Sequence, residues 1–282
     1  MARLIGFIGN RPDLGSLAIA QGGPYFSVRP TPNESAEPSS VSWGLGFYQG
    51  GEILLKRRPF DERRAIEFSE LVKDVKADVL VGHVRTATVG ALRTENTHPF
   101  RYRQWLFAMT GTVPQFDKLR ARLIDSLPQF LARDVRGQTD AELVFYIFLS
   151  FLHDMGKLDR TDVDSATARS AIRSTVALVD RISSEVDEHE PRLNMIVACG
   201  EYLIGVRASS PMGYESLRGR GSLERLFASE SFSRTKVPHL TSARLSLCAS
   251  DFDDGAPPSF TLLPERSTVT LTLADEPKVE AL

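Results

Sequence analysis

The chain has few cysteines and no long hydrophobic run, and both features exclude classes of protein. Its two cysteines, Cys199 and Cys248, lie in apolar segments without CxxC spacing or neighbouring histidines. Buried thiols in a reducing compartment are a better interpretation than a disulfide or a metal site. The longest apolar stretch, 143–152, is too short to span a bilayer, and residues 1–6 lack a signal-peptide core. The sequence therefore predicts a cytoplasmic protein with no membrane partner.

The chain also lacks an excess of charge of either sign. Its 34 Lys and Arg residues nearly balance 36 Asp and Glu residues, and the basic residues are scattered, so no nucleic-acid partner is expected. Zinc spacings, a P-loop, a dinucleotide fingerprint and internal repeats are absent, so no cofactor and no metal site is predicted. With 42% hydrophobic residues, the chain can bury a full core. Residues 1–282 are predicted to form one domain that binds a small polar metabolite.

Hydrophobic periodicity predicts antiparallel strands with helices grouped between them, which is an α+β fold. Strands are expected at 3–8, 41–48, 52–56, 79–85, 105–108, 193–198, 202–207, 244–250 and within 259–273. Helices are expected at 61–76, 114–133 and 162–188, and a buried helix should begin at Thr139, which has capping-box spacing to Glu142, and end near Gly156. Residues 24–42 and 209–237 should be irregular, and the tail from Asp275 should fray.

One predicted strand delivers an arginine to its end. Arg85 lies in the segment 81–90, VGHVRTATVG, which is followed by ENTHPF at 95–100. A guanidinium fixed in this way can bind a carboxylate through two parallel hydrogen bonds. For a lone arginine, an ion pair with a neighbouring Asp or Glu is the better interpretation. The surrounding sequence reverses that preference.

The two segments together resemble the glutamine site of the class II glutamine amidotransferases, whose glutaminase domains are N-terminal-nucleophile hydrolases. The resemblance covers nearly the whole chain and is closest to a short stand-alone branch related to enzymes of ergothioneine synthesis and glutathione breakdown. It implies a four-layer αββα sandwich of two antiparallel sheets. It also implies that Arg85, Thr88 and Asp140 hold the amino-acid end of glutamine or of a γ-glutamyl compound, with Asp140 facing the α-ammonium group.

The reactive groups of that family are missing here. Its first strand begins with a cysteine whose thiol attacks the amide and whose α-amine is the base, and Ala2 occupies that position. Its oxyanion hole uses the Asn side chain and the Gly N–H of a His-Asn-Gly segment, which is Met109-Thr110-Gly111 here. Gly111 still offers an N–H, whereas the shorter Thr110 hydroxyl would not reach the same point. Because several positions differ together, natural divergence explains Ala2 better than an engineered change.

Three hypotheses follow. The first is a family member without glutaminase activity that keeps a pocket for glutamine or a γ-glutamyl compound and serves as a regulatory or partner subunit, with another protein or a second copy of itself. The second is a working amidohydrolase or amidotransferase that uses another group, such as the Ala2 amine as a base for water, to release ammonia or glutamate. The third is a structural interaction protein with an empty pocket. His83 and His98 are expected to pack and to form hydrogen bonds rather than act as bases.

Overall fold

A computed structural model of the protein describes residues 2–28, 41–62, 65–86, 90–227, 240–252 and 255–282. The strands described there are β1 Arg3–Gly9, β2 Ser27–Val28, β3 Val41–Gln49, β4 Glu52–Asp61, β5 Ile66–Glu67, β6 Val79–Thr86, β7 Phe100–Tyr102, β8 Trp105–Thr110, β9 Asn194–Ala198, β10 Tyr202–Arg207, β11 Met212–Arg218, β12 Arg244–Ser250, β13 Thr261–Leu262, β14 Ser267–Thr272 and β15 Lys278–Ala281. The α-helices are α1 Gly15–Gln21, α2 Phe68–Val72, α3 Phe116–Asp125, α4 Gln129–Asp134, α5 Asp140–Asp154, α6 Ser165–Ser183 and α7 Gly219–Glu224.

Most of these strands form two antiparallel sheets. The seven-stranded sheet has the order β13-β11-β12-β1-β6-β3-β4, and the six-stranded sheet has the order β15-β14-β10-β9-β8-β7. The first strand, β1, lies in the middle of the larger sheet, where Leu4 is opposite Ser250 of β12 and His83 of β6. The start of the chain is therefore held by hydrogen bonds on both sides.

The two sheets pack face to face with helices on both outer surfaces. Alternate residues of β1 point to opposite faces, as the period of a strand requires. Leu4 and Ile8 join a core between the sheets, whereas Ile5 and Phe7 join a core with α1, α2 and α7. A third core fills the space between the six-stranded sheet and the helices α3, α5 and α6. This arrangement is the predicted αββα sandwich.

The buried helix α5 begins and ends as its sequence predicts. The Thr139 Oγ1 accepts a hydrogen bond from the Glu142 backbone N–H at 3.3 Å, so the predicted N-cap is confirmed. Gly156 follows the helix with a φ of +66°, the left-handed conformation that glycine adopts at helix ends. Its apolar residues face β8 on one side and α3 and α6 on the other. In the described ranges no helix has the length and apolarity needed to cross a membrane.

Two predicted helices are wrong. In place of a helix over 61–76, β4 continues to Asp61 opposite Val41, and of the described residues in that range only Phe68–Val72 are α-helical. The apolar spacing in this segment fits a short strand followed by one helical turn as well as it fits a longer helix.

The predicted helix over 114–133 is divided into α3 and α4. Pro128 lies at the break, because proline lacks a backbone N–H and disfavours helical backbone in the residue before it.

Two expectations of irregular structure are also wrong. Within 209–237, residues 212–218 form β11, which pairs with β12 and β13, while residues 228–239 lie outside the described part. In the C-terminal tail, β15 pairs with β14, with Val279 opposite Val269. β11 lies between β12 and β13, and β15 lies at the edge of its sheet. In both cases backbone pairing supplies what the strand's own hydrophobic pattern does not. In the predicted loop 24–42, residues 27–28 form β2, and residues 29–40 are not described.

Candidate functional site

A small cavity of about 110 Å³ lies where β1 begins, β6 and β8 end, and α5 begins. We call it the candidate pocket. The predicted site residues that line it are Ala2, Arg85, Thr110, Gly111 and Asp140. The sixth predicted residue, Thr88, lies outside the residues that the structure describes. Residues from both sheets and from one helix therefore meet in the candidate pocket.

Arg85 supplies a buried positive charge to this pocket. Its strand, β6, is held between β1 and β3, with Ser42 directly opposite Arg85. The arginine is only 7% exposed, and burial lowers its pKa, an effect that the negative charge of Asp140 opposes. A guanidinium keeps its proton in proteins. The pocket therefore holds a fixed cation with little competing water.

Asp140 supplies a buried negative charge to the same pocket. As the first residue of α5, it accepts hydrogen bonds from the backbone N–H of Val113 at 2.8 Å and from that of Ala141 at 2.9 Å, one on each carboxylate oxygen. Burial raises the pKa of Asp140, while these two hydrogen bonds and the Arg85 guanidinium act to lower it. The helix N-terminus and the backbone donors thus fix the orientation of this carboxylate. Opposite charges on one cavity wall suit a zwitterionic ligand.

Thr110 is engaged by a residue that the sequence did not reveal. Its Oγ1 donates a hydrogen bond to Oδ2 of Asp251 at 2.5 Å, and the Ser250 hydroxyl donates to the same oxygen. A hydroxyl has one proton to donate, so the proton of Thr110 is already committed to a carboxylate. Asp251 is 141 residues away along the chain. Its position directly after an apolar strand is the only signal that could have drawn attention to it.

The remaining predicted positions carry no reactive side chain. Ala2 is half-buried just before β1 and offers a methyl group to the pocket. Gly111 follows β8 with a φ of +107°, a conformation that other residues rarely adopt. Neither side chain can attack an amide or accept a proton.

Two histidines also line the candidate pocket and pack against each other. The ring centroids of His83 and His98 are 4.2 Å apart, and both residues are buried. Burial, followed by the charge of Arg85, lowers the pKa of His83 to about 3, and burial also holds the pKa of His98 well below its usual value. The predicted packing is confirmed. The predicted hydrogen bonds are not seen at His83 Nε2 or at either ring nitrogen of His98 in the described part of the chain.

These pKa values predict a specific loss of stability in acid. Both imidazoles stay neutral in the folded protein, whereas in the unfolded chain they take up protons below about pH 6.5. The unfolded state then binds more protons, so each histidine lowers the free energy of unfolding by about 1.4 kcal/mol per pH unit between its unfolded and folded pKa. For His83 this window extends from about pH 6.5 down to a pKa of about 3.

Urea unfolding at about pH 7 and about pH 5 measures this effect. A His83→Gln variant should lose less stability between the two pH values than the unmodified protein. His189→Gln is the matched control, because the His189 side chain is 89% exposed, and it should keep the full pH dependence. Equal pH dependence in the His83→Gln variant and the unmodified protein would show that this imidazole is not held neutral.

Comparison with known proteins places the chain in a family. A sequence model of the class-II glutamine amidotransferases matches residues 22–214, more than half of the chain. The chain belongs to this family. A solved structure of a glutamine aminotransferase class-II domain protein from Silicibacter pomeroyi superposes with a TM-score of 0.59 at 16% identity, covering 99% of this chain and 98% of that one. At this identity the likeness is one of fold, and it confirms the N-terminal-nucleophile hydrolase architecture.

Two relatives align over shorter stretches. A probable glutamine amidotransferase of Saccharomyces cerevisiae is 27% identical over 144 residues, which are 48% of this chain and 40% of that protein. A gamma-glutamyl-hercynylcysteine sulfoxide hydrolase of Mycobacterium tuberculosis is 28% identical over 116 residues, which are 40% of this chain and 50% of the relative. The chain thus matches half or less of the length of both relatives.

Proposed function

We propose that this class-II amidotransferase relative binds glutamine or a γ-glutamyl compound and has lost glutaminase activity. One observation carries the proposal. Arg85 and Asp140, which can hold the charged end of an amino acid, line the same cavity as Ala2 and Thr110. The sequence resemblance assigns the latter two positions to the family's reactive groups. The pocket therefore has the means to bind and lacks the means to cleave.

The binding half of the proposal depends on charge complementarity. The α-carboxylate of the ligand would meet the Arg85 guanidinium, and its α-ammonium group would meet the Asp140 carboxylate. Both side chains are buried, so a bound ligand would displace water from them. Little water would then remain to weaken the attraction between the ligand and the two charges. Because the pKa of Asp140 is raised, a proton should compete with the ammonium group in acid and weaken binding.

The chemical half depends on three groups. The methyl group of Ala2 cannot act as a nucleophile, and loss of a nucleophile can cost ~10⁶ in turnover. Thr110 would have to break its bond to Asp251 before it could donate to an oxyanion. His83, with a pKa of about 3, is a poor proton acceptor at neutral pH. The hypothesis of a working enzyme with a substitute base thus has little support from the histidines.

The biological role and the natural ligand are part of the same proposal. The M. tuberculosis relative is named as a hydrolase of a γ-glutamyl compound, which favours a ligand with a γ-glutamyl end. We propose a cytoplasmic regulatory or partner subunit from the stand-alone branch of the family, with residues 1–282 as one domain. A protein that binds such a ligand without consuming it can report the ligand's concentration to a partner. The partner is another protein or a second copy of the same chain.

Titration calorimetry with glutamine and with a γ-glutamyl dipeptide tests the binding half. The unmodified protein should bind at least one of them at millimolar concentration or below. Arg85→Ala should weaken binding at least about thirtyfold, since removing one partner of a buried charge pair costs about 2–5 kcal/mol. Arg122→Ala is the control: Arg122 is an exposed arginine paired with Glu185 on the helical surface, and its replacement should leave affinity unchanged.

Three results would reject the proposal in different ways. If neither compound binds, an empty structural pocket becomes the better account. Binding that survives Arg85→Ala would place the ligand elsewhere. Release of ammonia or glutamate that Asp140→Ala abolishes would establish an enzyme that works without the cysteine.

A further inference from the structure

A second and larger cleft, of about 540 Å³, lies beside the candidate pocket. It is formed by β4, β7, the segment 134–136 and the first turns of α5. None of its lining residues lines the candidate pocket, so the two are separate sites. Four arginines line it, and one of them, Arg103, pairs with Asp159 at 2.7 Å. We call the site the arginine cleft, after the other three, Arg57, Arg101 and Arg136.

These three arginines have no carboxylate partner in the described part of the chain. Arg57 donates through Nη2 to the Pro99 carbonyl, and Arg101 donates through Nη1 to the Ile53 carbonyl at 3.0 Å. Carbonyl oxygens orient a guanidinium but do not neutralise its charge. The Arg57 Nε, which is buried, has no hydrogen-bond partner at all among the described residues.

The acidic residues of the cleft do not offset these charges through contact. The two oxygens of Glu142 accept hydrogen bonds from the backbone N–H of Arg136 at 3.0 Å and of Gly137 at 2.7 Å. That carboxylate serves to close the loop before α5. Glu95 and Asp134 are exposed. The burial of Arg57, which lowers its pKa, is only partly opposed by the charges of Glu142 and Glu95.

The opposite side of the cleft is aromatic. Tyr102 and Tyr146 meet edge to face with ring centroids 6.4 Å apart, and the Tyr146 hydroxyl donates to the Asp134 carbonyl at 3.0 Å. The hydroxyl is thus occupied, and the rings offer an apolar surface. A cleft of this volume, with apolar walls and a few oriented charged groups, has the composition of a small-molecule site, for which about 300–1,000 Å³ is typical.

We propose that the arginine cleft binds a small metabolite that carries an oxyanion, a carboxylate or a phosphate, next to an apolar or ring-containing body. The oxyanion lies between Arg57, Arg101 and Arg136, whose N–H donors suit both anions. The body packs against Tyr102 and Tyr146. The inference is independent of the glutamine pocket, since it uses none of that pocket's residues.

Phenyl phosphate and benzoate are suitable probes, because each joins an aromatic ring to one of the two oxyanions. Binding to the full chain is followed by titration calorimetry, with phenol as the uncharged control. At least one anion should bind at millimolar concentration, more weakly at high salt, and the tighter of the two identifies the preferred oxyanion. Phenol should bind at least about tenfold more weakly, because charge-assisted hydrogen bonds contribute about that much.

Matched arginine variants locate the site. Arg57→Gln and Arg136→Gln should each weaken binding about tenfold, as expected for loss of a hydrogen bond to a charged group. Arg122→Gln removes the same charge from a distant surface and should have no effect. Arg136 is exposed, so its replacement should leave the fold intact. If Arg57→Gln does not fold, the affinity of Arg136→Gln alone decides whether the anion binds in the cleft.

Two outcomes would overturn the proposal. One is that neither anion binds at millimolar concentration. The other is that binding is unchanged in both cleft variants. If both cleft variants bind the anion fully and Arg85→Ala does not bind it, the anion belongs to the candidate pocket instead.

Discussion

Replacing Gly111 with alanine should destabilise the protein by more than about 4 kcal/mol, or prevent folding altogether. Two effects add at this position. The φ of +107° is strained for any residue with a Cβ atom. An added Cβ would also overlap the backbone carbonyl of Arg192, which cannot move aside as a flexible side chain could. Urea unfolding, or the yield of soluble protein where the variant does not fold, measures the loss.

Two other glycines separate the two effects. Gly156 has a φ of +66° but open space around it, so Gly156→Ala should cost only the backbone strain, about 1–2 kcal/mol. Gly221 has neither a positive φ nor a close neighbour, and Gly221→Ala should be nearly neutral or slightly stabilising. If Gly111→Ala is no less stable than Gly156→Ala, the close approach of Arg192 is not a constraint.

This packing changes how Gly111 is interpreted. The family resemblance assigns its N–H to the oxyanion hole, yet the backbone geometry already requires glycine there. The presence of Gly111 is therefore explained without any catalytic role. Arg85 and Asp140 differ in this respect, because neither has a positive φ that restricts the residue type. Their opposite charges on one cavity wall point to a ligand more directly than the glycine does.

The sheets could be predicted from the sequence because their residues alternate strictly or form short buried runs. β1, β3, β9 and β12 each show this pattern, and the sequence placed all four. The strands β11 and β15 were missed, because what holds them is backbone pairing with their neighbours rather than their own apolar residues. The break between α3 and α4 could have been predicted from Pro128.

The candidate site also contains residues that the sequence could reveal and residues that it could not. Arg85 and Asp140 could be singled out because the segments around them resemble the family's glutamine site. The strand end and the helix N-terminus alone favour an ion pair and a capping role. Asp251 could not be singled out, since its contact with Thr110 joins residues 141 positions apart. The arginine cleft also had no sequence signal. The three arginines proposed to bind the anion come from separate segments, and only the fold brings them together.

Restoring the two missing groups should restore glutamine hydrolysis. The proposed function attributes inactivity to Ala2 and Thr110 while the binding residues remain, so an Ala2→Cys/Thr110→Asn double variant should release glutamate from glutamine. Ala2→Cys alone should be slower by about 10²–10³, the usual effect of one oxyanion-hole donor. Thr110→Asn alone should stay inactive, because it still has no nucleophile.

The double variant also tests whether the pocket geometry suits the reaction. Thr110→Asn removes one of the two hydroxyl donors to Asp251 and leaves the Ser250 hydroxyl in place, so the carboxylate keeps a partner and the fold should tolerate the change. Mass spectrometry must first show that Met1 is removed, since the free α-amine is the base in this chemistry. A folded, processed double variant that binds glutamine but does not cleave it would mean that the pocket holds its ligand in an orientation unsuited to attack. The inactivity would then lie in the geometry of the pocket rather than in the two replaced side chains.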